Sequence, residues 1–186
     1  MLYHFSEDPT IERFEPHAPL HRPAVEPAVW AIEAWTAPKY FFPRDCPRVC
    51  FWPSPTTTPA DYEHFFSYVD GRMVTAIEAA WLARLEQTKL YRYILPAATF
   101  EPLLDEVGTY ISRQTVVPLG VEPVGDLVDA LVSAPVELRI CRSLVPLGQA
   151  VIASTMDFSL IRMRHARGWR LIPFHYGDSA FTAAMK

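Results

Sequence analysis

Three groups of residues in this sequence carry side chains that could do chemistry. The first lies in LYHFSE, where His4 and Ser6 are separated by one residue. Alternate side chains of a strand share a face, so the two polar groups would stand side by side. A polar pair on one face of a strand, in a chain rich in apolar residues, needs hydrogen-bond partners or a ligand. The second is IRMRHARGWR, which holds Arg162, Arg164, Arg167 and Arg170 around His165. Guanidinium groups beside Trp169 suit contact with phosphate or RNA. The plainer reading is a solvated edge strand, with Arg162 and Arg164 alternating against Ile161 and Met163. The third is a set of metal-ligand spacings. His17 and His21 stand four apart, as two ligands on one helical face would, but Pro16, Pro19 and Pro23 exclude that helix. Cys46 and Cys50 form C-x3-C with no second pair to complete a tetrahedral site. No metal site is expected.

Other chemistries leave no trace. There is no G-x-S-x-G and no Cys-His signature. The 7 glycines nowhere form a dinucleotide fingerprint or a P-loop. A Rossmann or P-loop enzyme is not expected.

The elements that position these groups follow from periodicity and breakers. LYHF predicts a short first strand, ended by SEDP. Prolines at 9, 16, 19, 23 and 27 predict an ordered loop over 9–29, pinned by Ile11, Phe14 and Leu20. AVWAIEAW (28–35) reads as a short helix after Pro27. KYFF (39–42) and RVCFW (48–52) read as strands. Thr58, Pro59 and Asp61 mark a helix start. MVTAIE followed by AAWLARLEQ reads as strand then helix, and KLYRYIL alternates as a half-buried strand. A turn of helix is expected at 97–104, strands at 108–112 and 115–121, and a short helix after Asp126. Strand VELRIC and helix LVPLGQAVIAST follow, and the last ten residues should fray. Strands and helices do not alternate regularly. The fold expected is α+β, with mixed or antiparallel small sheets and short helices packed alongside. Residues 1–168 would form a single domain and 169–186 a partly ordered extension.

Composition bounds the function classes. The chain has 186 residues, 50% hydrophobic and 13% aromatic, enough for a substantial core. A net charge of -4 does not draw nucleic acid to the protein as a whole. Three cysteines argue for a reducing compartment. With no signal peptide and no membrane-length apolar run, the expected location is the cytoplasm. The surplus of aromatic residues leaves room for a partner surface, with a homodimer one reading of it.

Two resemblances extend this reading. LYHFSEDPTIERFEPH, YFFPRDCPRVCFW, EPVGDL and ASTMDFSLIRMR resemble a bacterial family of small proteins with no assigned function, over the chain to about residue 168. LYHFS is also similar to the first motif of the ADP-ribosyltransferase-like superfamily. RVCFWPSP resembles that superfamily's pocket-lining strand, and TYISRQTVVPLGVEPV its third region. This resemblance implies a domain that binds NAD or a related nucleotide. His4 and Ser6 would hold the ribose, and Trp52 or Tyr40 would stack on the nicotinamide. Arg44, Arg48 or Arg113 would meet the pyrophosphate. Gln114 stands where the catalytic glutamate is expected, unless Glu101 or Glu122 takes that place. A glutamine cannot supply the carboxylate that stabilises an oxocarbenium-like centre. The alternative is a non-catalytic binding or interaction protein.

Overall fold

The computed structural model describes residues 1–18, 26–104 and 106–169. The fold class is α+β. The chain forms two compact units, one of Met1–Phe41 with Thr88–Asp126, the other of Phe42–Gln87 with Leu127 onward.

The first unit is built on a six-stranded sheet. Its strands are β1 (Leu2–Ser6), β2 (Val29–Ile32), β5 (Tyr91–Leu95), β6 (Glu101–Pro102), β7 (Thr109–Ser112) and β8 (Gly120–Pro123). Their order is β6-β7-β2-β1-β5-β8, every pair antiparallel. Leu2, Phe14, Val29, Ala31, Tyr93, Leu95 and Val116 form its core. Phe14 comes from the proline-rich loop and is held by a two-way backbone bridge with Val116.

The second unit is built on a four-stranded sheet in the order β10-β3-β4-β9. These strands are β3 (Arg48–Trp52), β4 (Met73–Glu78), β9 (Val136–Cys141) and β10 (Asp157–Ile161). β3 lies antiparallel to β4 and β10, while β4 and β9 run parallel. The helices are α1 (Pro59–Phe66), α2 (Leu82–Gln87), α3 (Leu127–Ser133) and α4 (Val145–Ile152). Val49 and Phe51 of β3, Val74 and Ala76 of β4 and Leu160 of β10 meet Phe65 and Phe66 of α1 and Val151 of α4 in one core. β3 and β4 are buried along their whole length, including the polar Arg48, Thr75 and Glu78. The α1 start is as read. Thr58 Oγ1 accepts from Asp61 N at 3.3 Å and Pro59 opens the helix. The Asp61 carboxylate in turn accepts from the Thr155 hydroxyl (2.5 Å) and amide (2.8 Å), tying α1 to the start of β10.

Several local readings are corrected. Residues 28–35 hold strand β2, not a helix: Val29 and Ala31 are buried between β1 and β7, and pairing on both edges outweighs the helix propensity of alanine. Residues 39–42 do not make a strand. Ala37–Tyr40 form a 3-10 turn, with Pro38 fixing φ in its first turn. Residues 97–104 contain a turn and β6, not helix. In 115–121, Pro118 leaves only the bridge at Val116 before β8 starts at Gly120. The last strand ends at Ile161. Arg162 adopts left-handed backbone (φ 56°) and Met163–His165 form a 3-10 turn, so Arg162 and Arg164 do not alternate along a strand. Leu20, His21, Arg170 and the end expected to fray lie outside the described residues. No helix among the described residues is long and apolar enough to cross a membrane.

Candidate functional site

The first unit receives His4, Ser6, Tyr40, Arg113 and Gln114. His4 and Ser6 do share a face of β1. The His4 ring packs on Phe14 at 4.7 Å, and its Nδ1 donates to the Trp30 carbonyl at 3.0 Å. Ser6 Oγ accepts from Asp8 N, and Asp8 accepts from Thr10, so Ser6 opens the turn that ends the strand. Opposite His4, Tyr93 donates its hydroxyl to Asp8 O (2.7 Å) and accepts from Ile11 N (3.0 Å). His4, Phe14 and Tyr93 together fasten the proline-rich loop onto the sheet. Gln114 is exposed in the loop after β7, a strand separated from β1 by β2. Arg113 is engaged by Glu26 (2.8 Å) and Glu101. Those two carboxylates hold its guanidinium above the usual arginine range. Glu122 pairs with Arg92 at 2.6 Å. Tyr40 is half-buried in the 3-10 turn.

The second unit receives Arg44, Arg48 and Trp52. Arg48 and Trp52 lie on the same face of β3 and both are buried. Arg48 donates to Cys46 O at 2.8 Å and lies over the Phe42 ring. Cys46 and Cys50 are buried, and burial pushes the Cys46 thiol up to about 12. Exposed Arg44 belongs to a group of cations that includes Arg162 and Arg164 and surrounds Asp45.

An open concave surface lies elsewhere in the second unit. Arg142, Ser143, Pro146, Arg167 and Gly168 line an open cleft of about 520 Å³. That volume falls in the range of small-molecule sites. One wall is the turn from β9 into α4; the other is the strap after β10. Neither the Arg142 nor the Arg167 guanidinium has a carboxylate or hydrogen-bond partner among the described residues.

Buried Glu78, the last residue of β4, joins the two walls. Its carboxylate accepts from Leu144 N (3.3 Å) on one wall and Arg167 N (3.1 Å) on the other. The strap is also seated beyond Arg167. Gly168 turns with φ +76°, and the Trp169 ring packs against Gly148 of α4. Two cationic forks thus face a concave space from a braced frame. Such forks match the oxygens of phosphate or carboxylate. The α4 terminus adds little of its own, because Val145 N bonds to Ser143 Oγ and Pro146 has no amide hydrogen.

Sequence reading flagged the segment that supplies Arg167 but missed Arg142, Ser143 and Glu78. A strand–Arg–Ser turn–helix step in CRSLVP was the available signal. Glu78 carried none, because the parallel register that sets it opposite Cys141 joins strands distant in sequence.

Residues 3–166 match a family of unknown function, DUF6886, and the chain belongs to that family. The match takes in Arg142, Ser143 and Glu78 and stops one residue short of Arg167. No curated protein and no solved structure matches the chain.

Proposed function

We propose that this protein binds a phosphate-bearing small molecule in the cleft between Arg142 and Arg167. The observation that carries this reading is the pair of guanidiniums that have no carboxylate partner among the described residues and line one open cleft of about 520 Å³. In proteins of mild net negative charge, cations left without acidic partners in a concave site favour an anion of similar size. NAD and ADP-ribose are apt probes, since a pyrophosphate offers oxygens to two forks at once. The reading needs no chemistry at His4 or Gln114, and in that respect it is a binding function rather than a transferase.

The test is isothermal titration of the purified protein with pyrophosphate, ADP-ribose and NAD at low ionic strength. Binding is expected for at least pyrophosphate, weakened about tenfold to hundredfold in Arg142→Gln or Arg167→Gln, as loss of one charge-assisted contact implies. Absence of binding to all three at millimolar concentration would sink the proposal. So would binding that both variants retain in full.

A further inference from the structure

Strand β9 ends the four-stranded sheet, and among the described residues its only strand partner is β4. Its far edge therefore carries backbone N–H and C=O groups, on every second residue, that no strand receives. The residues along it read Val136, Glu137, Leu138, Arg139, Ile140. Register with β4 assigns their faces. Glu137 and Arg139 stand opposite Val74 and Ala76, on the face that packs against α1 and α4. There Arg139 donates to Glu137 at 2.7 Å and to Phe65 O at 3.5 Å, and lies over the Phe51 ring. Val136, Leu138 and Ile140 stand opposite Met73, Thr75 and Ile77, on the other face. Ile140 is 43% exposed. About Leu138 the strand is symmetric in hydrophobicity and antisymmetric in charge: apolar, acid, apolar, base, apolar.

We infer that the free edge of β9 pairs with β9 of a second copy of this chain, antiparallel about a two-fold axis at Leu138. Such an axis sets residues equally far on either side of it opposite each other. Leu138 then meets Leu138 of the second copy, and Val136 meets Ile140, all apolar and on one face. On the other face each Glu137 meets Arg139 of the second copy. With the Glu137–Arg139 ion pair inside each strand, four charges alternate in sign around the axis. Opposite charges directly across a strand pair contribute about 0.2–1 kcal/mol, and like charges oppose pairing. Paired residues must share a face, so the nearest other registers are centred on Glu137 or on Arg139, and each sets that charge against its own copy. Charge on an edge strand ordinarily keeps copies apart. Here the order of sign admits one register and penalises its neighbours. The two sheets join as β10-β3-β4-β9-β9-β4-β3-β10. The pairing is independent of the anion cleft, which begins beyond the end of β9 at Arg142.

The test is the mass of the full chain in solution, by sedimentation equilibrium, with variants of charge and of register. Wild type is expected to dimerise reversibly at micromolar concentration. Glu137→Arg sets two pairs of like charges across the axis and should weaken the dimer by about tenfold or more. Glu137→Arg combined with Arg139→Glu exchanges the signs and should restore it. Crosslinking reads the register without altering charge, in a Cys141→Ser background. Leu138→Cys should form a disulfide between copies under mild oxidation, since position 138 faces its own copy within the distance a disulfide bridges. Ile140→Cys should not, because position 140 faces 136. Cys46 and Cys50 are buried and do not compete. A wild type that stays monomeric at its highest soluble concentration overturns the inference. So does a dimer that tolerates Glu137→Arg, or a folded charge-exchanged variant that stays monomeric. Crosslinking of Ile140→Cys as readily as Leu138→Cys overturns it too, and the crosslinks decide alone if a charge variant fails to fold.

Discussion

The carboxylate of Glu78 receives the backbone N–H of Arg167 through both of its oxygens, each at 3.1 Å. One oxygen also receives the amide of Leu144 at 3.3 Å. A single buried acid at the end of β4 therefore ties together two segments that also meet where Trp169 packs against Gly148. The consequence is testable by truncation. Glu78→Ala leaves two amide donors without their acceptor, at about 1–3 kcal/mol for each that water does not reach. Urea denaturation should show a loss of several kcal/mol, and Glu78→Gln, which keeps one acceptor oxygen, a smaller loss. Equal stability of Glu78→Ala and wild type would show that water replaces the acid at both amides.

Much of the fold was legible before any coordinates, and the reasons are local. KLYRYIL alternates, and β5 follows it. TTTPADYEHFF contains its own cap and first-turn proline, and α1 starts where they indicate. The failures are equally particular. AVWAIEAW carries residues suited to a helix, yet lies between β1 and β7, and sheet pairing decided it. The cleft was half legible. Arg167 stood out in a run of arginines, but Arg142 comes to face it through a parallel strand pair and a buried acid that periodicity does not reveal. His4 and Ser6 were legible as a pair sharing one face, and that face is where the proline-rich loop docks.

That docking gives a prediction for the first unit. Tyr93→Phe removes the hydroxyl that bonds both Asp8 O and Ile11 N, while keeping the ring that packs edge-on against Phe14 at 5.2 Å. The global loss should be about 1–3 kcal/mol. The specific sign is faster amide exchange at residues 8–14, measured by hydrogen–deuterium exchange, with β3 and β4 unchanged. Uniform acceleration across the chain would contradict a local role for the hydroxyl.

Cys46 predicts the alkaline limb of the stability curve. Its thiol is pushed up from 9.0 to about 12 by burial, with Arg48 opposing. The folded state holds this proton more tightly than the unfolded chain does. The contribution is fully present below pH 9 and is lost as pH rises towards about 12, on the order of 4 kcal/mol across the window. Denaturation midpoints between pH 8 and 11 should fall more steeply in wild type than in Cys46→Ala. In the folded protein at neutral pH the thiol should resist alkylation and react only on unfolding. Rapid labelling of Cys46 in the folded state would rule out the buried, neutral thiol.

Gly148 and Trp169 make a prediction whose sign depends on the partner. Gly148 is inside α4, where alanine would ordinarily stabilise by about 1 kcal/mol. A Cβ there would meet the Trp169 ring at 2.8 and 3.1 Å, closer than atoms pack without movement. Gly148→Ala should therefore destabilise the wild type by about 1–3 kcal/mol through overpacking. In a Trp169→Ala background the ring is gone, the helix preference is all that remains, and the same substitution should stabilise. The double-mutant cycle isolates this coupling. It also bears on ligand binding, because moving Trp169 moves the strap that aims Arg167 into the cleft. Gly148→Ala should weaken pyrophosphate while its effect on stability is still small enough to leave the protein folded at 25 °C. If the substitution has one sign in both backgrounds, the ring does not rest on Gly148, and the strap is held by Glu78 alone.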